Sequence, residues 1–276
     1  MMISKFSIKG FKGFDQLDIP SLSRITLVGG RNNVGKTSVL EALFMFHDRF
    51  NPEMILRQFA WRGVGTIPFN PESMWMPVFY NYEMGKKIEI DAVVNSNDEK
   101  MTLKYNPSYT PATIPANNTR PGFRPTQIKT DQKPEPSFSL DITYDSKKMK
   151  NQTAHLLMGL NGFGIHLDST NIERRNAAFL GARVAVNPTE DAQKFGQLDM
   201  PQIWEAIALA AREYDCQVIC TTHSYECLEA AYEGLSGDLA SDFSYIRIDR
   251  TDNKTAAKYF DHEMLKIAID TNMEVR

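Results

Sequence analysis

Gly30-Arg31-Asn32-Asn33-Val34-Gly35-Lys36-Thr37 is the stretch whose residue types and spacing specify a chemistry. It fits the pattern G-x-x-x-x-G-K-[ST], a loop that cradles phosphates. Gly30 and Gly35 let the backbone curl until successive N–H groups point inward at phosphate oxygens, with Asn32, Asn33 and Val34 inside that curl. Lys36 can reach the β- and γ-phosphates as a point charge. The Thr37 hydroxyl can ligate Mg²⁺. Ser38 follows at the start of a helix whose positive N-terminal end faces the same phosphates. The loop predicts a nucleotide with Mg²⁺, and does not by itself separate ATP from GTP.

The flanking residues must hold this loop in place. Residues 24–28 form a short apolar run that ends at two glycines and reads as a buried strand. Residues 37–46 follow with helical periodicity, placing Val39, Leu40, Leu43 and Phe44 inward. Upstream, Phe6, Ile8 and Gly10 share one parity of a strand. A turn at 10–13 and a second strand through Leu17 and Ile19 complete a hairpin. Residues 51–80, with Pro52, Pro68, Pro71 and Pro77 among aromatics, read as an irregular surface insertion. Residues 86–94 and 100–104 read as paired strands about a turn at 95–99. The Pro-rich stretch around 105–137 reads as a long loop inside the domain, and 138–144 as a strand. Asn187-Pro188-Thr189-Glu190 can start a helix reaching 198. A helix at 202–213 would turn Ile203, Ile207, Ala210 and Tyr214 to one face. Residues 217–222 read as an apolar strand, 245–249 and 257–260 as a hairpin, and 262–269 as a closing helix.

Composition sets the frame. The 276 residues carry 31 Lys plus Arg against 34 Asp plus Glu, for a net charge of −3. The hydrophobic share of 42% and aromatic share of 11% exclude a wholly disordered chain. A pI near 6.0 argues against a protein that coats nucleic acid, and leaves a local basic patch open. No apolar run approaches the ~18 residues that span a bilayer, and the N-terminus lacks an apolar signal core, so a cytoplasmic protein without a membrane partner is expected. Cys216, Cys220 and Cys227 are spaced unlike a zinc pattern and read as small buried thiols.

The variant G-x-N-N-x-G-K-T, with Ile8-Lys9-Gly10-Phe11-Lys12-Gly13-Phe14 upstream, resembles the start of the ABC-type ATPase heads of the SMC, RecF and OLD (overcoming lysogenization defect) group. Gln217-Val218-Ile219-Cys220-Thr221-Thr222-His223-Ser224 resembles that group's switch motif, an apolar strand ending in histidine. The resemblance implies an α/β P-loop NTPase fold of ABC/SMC-head type, with an N-terminal antiparallel β part and a parallel core sheet flanked by helices. It covers both ends of the chain well and the Pro-rich middle poorly. It implies ATP as the nucleotide, His223 near the γ-phosphate positioning the attacking water, and Lys12 beside the nucleotide. A solvated surface position is the equal alternative for Lys12.

Three parts of such a head are missing from the sequence: an apolar strand ending in Asp-Glu, a Ser-Gly signature, and a loop crossing to a partner head. In the family they belong where Met200–Pro201 stands here. A deletion there would take the strand beside the P-loop strand out of the sheet. The reading is therefore one ATPase domain over 1–276, with a segment missing between 200 and 201. The function expected by resemblance is ATP hydrolysis by a homodimer or higher oligomer that regulates a separate effector, such as a nuclease or toxin, in anti-phage defence. The alternatives are a RecF-type DNA-repair ATPase, to which the net charge lends no support, and a degenerate ATP-binding scaffold without turnover.

Overall fold

The computed structural model describes residues 2–51, 53–66, 70–110, 137–159, 162–168, 199–252 and 254–271. Two sheets organise them. The larger has seven antiparallel strands in the order β2-β1-β4-β5-β6-β7-β8. These are β1 (Ile3–Phe11), β2 (Phe14–Ile19), β4 (Lys87–Val94), β5 (Asn97–Tyr109), β6 (Ser137–Asp145), β7 (Gln152–Gly159) and β8 (Gly162–Leu167). The smaller has the order β11-β10-β3-β9, with β3 (Ile25–Gly29), β9 (Val218–Thr221), β10 (Phe243–Thr251) and β11 (Lys254–Phe260). There β3 pairs in parallel with both β10 and β9, and β11 closes one edge antiparallel.

All five residues of β3 are buried, as a parallel strand covered on both faces requires. Val28 belongs to a core shared with the large sheet and helix α1 (Lys36–His47), which contributes Val39, Leu43 and Phe46. Ile25 and Leu27 face the other way, into a second core. That core is built by α4 (Met200–Glu213), α5 (Tyr225–Gly234) and α6 (His262–Asp270). Helix α1 thus stands between two layers, and β3 feeds the P-loop straight into its N-terminus. No helix among the described residues is long and apolar enough to cross a membrane.

The N-terminal hairpin, α1, the β4–β5 pair, β6, β9, the β10–β11 hairpin and α6 form where the sequence predicts them. The β4–β5 turn is tighter than expected. Asn95 and Ser96 both take positive φ, giving a two-residue turn whose twist matches the strands.

Four expectations change. The described residues of 51–80 are not a surface insertion. They form α2 (Met54–Trp61), α3 (Pro71–Met74) and two short 3-10 turns, and they bury Met54, Ile55, Met74, Trp75, Val78 and Phe79 in the main core. Pro71 and Pro77 sit in first helical turns, where no N–H is needed, so they start structure rather than break it. The start of the Pro-rich stretch, through Tyr109, extends β5; residues 111–136 lie outside the described residues, as does the helix expected at 187–198. In α4 the buried face is Trp204, Ala208 and Ala211, while Tyr214 is 73% exposed. Small residues there let α4 and α5 approach closely, and Gly234 lies directly against the Pro201 carbonyl. Of the cysteines, Cys216 is exposed, and Cys220 and Cys227 are half-buried.

The P-loop strand also has both of its neighbours. With β10 on one side and β9 on the other, the strand that a Met200–Pro201 deletion would remove has no place beside β3. Its place would be the outer edge of β9, whose four residues are all half-buried. Met200 and Pro201 themselves lie in the first turn of α4, capped by the Asp199 side chain accepting from the Gln202 N–H at 3.0 Å.

Candidate nucleotide-binding site

The loop after β3 turns because its backbone enters the left-handed region three times, at Gly30 (φ 129°), Asn33 (φ 66°) and Gly35 (φ 105°). At Gly30 a Cβ would strike the Ile248 carbonyl of β10. At Gly35 it would sit 2.5 Å from the Phe14 ring of β2. Glycine is required at both on steric grounds, and the two contacts press the loop between the sheets. Val34 drops its side chain into the core and anchors the crest. Arg31, Asn32, Asn33 and Thr37 are exposed.

Lys36 curls across the loop and donates to the Gly30 carbonyl at 2.7 Å and the Arg31 carbonyl at 2.9 Å. Partial burial lowers its pKa. This puts the ammonium over the concavity at the N-terminus of α1, where the helix dipole also favours anions. The Thr37 hydroxyl lies in the first turn of α1, open to a cation. Backbone donors, a lysine, a hydroxyl and two sterically demanded glycines are the donor set that phosphate and Mg²⁺ need, so the residues fit the group.

His223 reaches the same end of the sheet. The parallel register aligns Val28 with Thr221, and the Thr222 N–H donates to the Val28 carbonyl at 3.0 Å. The chain after β9 and the chain after β3 therefore leave side by side. Gly29, Gly30, Thr222, His223, Ser224, Tyr225 and Tyr245 line one narrow cleft, with His223 exposed at its rim. Ser224 fixes the histidine's exit by capping α5, its hydroxyl accepting from the Cys227 N–H at 3.1 Å. Tyr245 packs its ring under Gly29, and burial pushes its phenol pKa up. Among the described residues, the lining of this cleft carries no carboxylate.

Lys12 is not the solvated surface residue of the alternative reading: its side chain is 14% exposed and paired with Glu41. It sits at φ 48° in the β1–β2 turn, its N–H donating to the Val78 carbonyl at 2.9 Å. Its ammonium lies 2.7 Å from Glu41, which is fully buried one turn along α1 from Thr37. Arg62, just past α2, grips both oxygens of Glu41 at 2.6 Å and extends toward the Ser38 hydroxyl at 3.4 Å. Burial pushes the Lys12 pKa down to about 8 even though Glu41 opposes this. The hydrogen bonds to Glu41 raise that of Arg62. Two cations against one carboxylate leave a net positive charge behind the P-loop helix. Glu41 and Arg62 were not singled out from the sequence. The available signal was a charge on the inward side of α1, next to Leu40, Ala42 and Leu43.

A family model described as an AAA ATPase domain matches residues 1–192. MJECL10, an uncharacterized protein of Methanocaldococcus jannaschii, is 32% identical over 109 residues, which is 37% of this chain and 47% of the relative. The chain's match thus spans about half that relative's length. Among solved structures, an SMC head bound to the C-winged helix domain of ScpA aligns with a TM-score of 0.44 at 11% identity, covering 98% of this chain and all of the other. The SMC head domain from Thermotoga maritima aligns with a TM-score of 0.38 at 11% identity, covering 95% of this chain and all of the other. The family match takes in the P-loop, α1 and the whole described large sheet, and by it the chain belongs to the AAA ATPase domain family.

Proposed function

We propose that the chain binds ATP with Mg²⁺ and hydrolyses it as an SMC/RecF/OLD-like ATPase. The observation that carries this reading is that Gly30, whose carbonyl holds the Lys36 ammonium at 2.7 Å, lines one cleft with His223 at the ends of β3 and β9. In this reading Gly30, Asn32, Asn33, Val34 and Gly35 wrap the phosphates with backbone N–H groups. Lys36 neutralises the β- and γ-phosphates. Thr37 ligates Mg²⁺, with Ser38 beside it, and His223 orients the water that attacks the γ-phosphate. Lys12 acts from behind α1, adding positive charge through the Glu41 cluster rather than touching nucleotide. Lys36→Ala should lower ATP turnover on the order of 10²–10³-fold with the fold intact. Turnover at the wild-type rate in that variant overturns the reading.

Among the described residues the cleft's lining carries no carboxylate, which bears on how water is activated. In the reading favoured here, a segment absent between Met200 and Pro201 supplies an Asp-Glu strand on the outer edge of β9. An intact mass of 31.3 kDa for the native protein refutes the absent segment. With that mass and no turnover, the chain is an ATP-binding scaffold instead. Two copies would sandwich ATP and, by assembling, control a separate effector such as a nuclease in anti-phage defence. ATP-dependent dimers in sedimentation support this. Salt-sensitive duplex binding would favour the DNA-repair alternative.

A further inference from the structure

We propose that the large sheet carries a transition-metal site of zinc type, formed by His155, His166 and Asp168 and separate from the nucleotide site. The strand register builds it. Asp141, His155 and His166 are successive cross-strand partners on β6, β7 and β8. Their side chains therefore fall in one row on one face of the sheet. Asp168 follows His166 by two residues and so returns to that face, its N–H donating to the Thr153 carbonyl at 3.1 Å. One ligand atom from each of His155, His166 and Asp168 lies within 4.8 Å of the others. The His155 Nε2–Asp168 and His166 Nδ1–Asp168 separations are 3.3 and 3.5 Å. Two ligands on one tetrahedral zinc lie about 3.4 Å apart for bonds of about 2.0–2.1 Å. The two contacts reach the two different oxygens of Asp168, and the three ligand atoms, within 4.8 Å of one another, would draw together on a shared ion.

The surroundings are those of a metal histidine. The His155 Nδ1 is held by Asp141 at 2.7 Å, which directs Nε2 toward Asp168. Asp141 is in turn fixed by the Ser139 hydroxyl at 2.6 Å and the Asn106 amide at 3.1 Å. A carboxylate behind a ligating imidazole sets its tautomer and raises its basicity. Tyr109 of β5 stacks on His155 with ring centroids 4.2 Å apart and places its hydroxyl 2.7 Å from His166 Nδ1. The site is half enclosed, with the His155 and His166 side chains 13% and 20% exposed. Two imidazoles and one carboxylate select zinc, cobalt or nickel over Mg²⁺ or Ca²⁺. Three protein ligands leave a fourth position for water or the Tyr109 phenol.

The test is calorimetric titration of Zn²⁺ into the metal-stripped full chain with Mg²⁺ in excess, together with X-ray absorption on the zinc-loaded wild type. One Zn²⁺ should bind per chain. His155→Ala combined with His166→Ala should weaken binding at least about 100-fold, and Asp141→Asn about 10-fold. The first shell should contain imidazoles and oxygen. Equal affinity in wild type and double variant overturns the proposal, as does no binding at all, which leaves a hydrogen-bonded ladder only. A sulfur first shell also overturns it, by assigning the metal to Cys216, Cys220 or Cys227. The absorption spectrum is read on wild-type protein, so it decides even if the double variant fails to fold.

Discussion

The two sheets place their polar chemistry differently. In the parallel part of the small sheet the candidate nucleotide chemistry stands at the strand ends: β3 runs into the P-loop and β9 runs into His223. In the large antiparallel sheet the polar side chains lie across the strands, where Asp141, His155 and His166 form a row and Asp168 follows two residues after His166. The cause is connectivity. Parallel neighbours present all their C-terminal ends on one side, so loops converge there. Antiparallel neighbours alternate direction, so residues converge through register instead. A parallel site is written as contiguous motifs, and an antiparallel one is scattered over distant residues.

Glu41 ties the large sheet's first turn to the P-loop helix that follows the small sheet's β3, and breaking that link is the severest test of treating the sheets as two regions. Glu41 is reached by Lys12 from the large sheet's first turn and by Arg62 from beyond α2. Glu41→Ala would strand a buried lysine, at a cost of about 3–5 kcal/mol. Urea unfolding measures it. Combining Glu41→Met with Lys12→Met should recover much of the loss, because Arg62 is 44% exposed and can turn to water. A loss below about 1 kcal/mol for Glu41→Ala would mean that the Glu41 cluster does not hold the large sheet's first turn to α1.

Legibility followed the same division. The P-loop, α1 and the β9–His223 segment could be read because each is local, with glycines, a lysine and an apolar strand in one window. The hairpins were legible from alternation. Residues 51–80 were not, because proline and aromatic content suggests an irregular surface until one sees that Pro71 and Pro77 begin helical turns. The α4 face was misread because Ile203 and Ile207 outweigh Ala208 and Ala211 in hydrophobicity, while close helix approach favours the alanines. Strands β7 and β8 and the histidine cluster gave no signal, since Asp141, His155, His166 and Asp168 lie on or next to three strands and in no contiguous motif, and meet only through register. Glu41 was hidden for a related reason: its cations come from positions 12 and 62.

A smaller effect sharpens how far the large sheet shapes the P-loop. Gly35 meets Phe14 of β2, so the loop's second glycine is constrained by the other layer as well as by its own φ of 105°. Gly35→Ala should destabilise by about 1–3 kcal/mol through backbone strain. Adding Phe14→Leu should relieve the steric part and leave the strain of positive φ. Thermal unfolding of the two variants separates these contributions. If the second change relieves nothing, the large sheet does not shape the loop.

The smallest effect gives each sheet its own pH signature. Lys12, at the large sheet's turn, is lowered from its ordinary 10.5 to about 8 by burial. Between those values the unfolded chain holds more protons than the folded one, so stability rises with pH. Cys220, on the edge strand of the small sheet, is raised by burial from 9.0 to about 11. Between those values the unfolded chain holds fewer protons, so stability falls. The net expectation is a gain of roughly 1 kcal/mol from pH 7 to 9, flattening above 9 where the two oppose. Lys12→Met should remove the gain. Cys220→Ala should let it continue toward pH 10.5. Urea midpoints across this range measure both, and a wild-type gain that survives Lys12→Met would place its origin outside the Glu41 cluster.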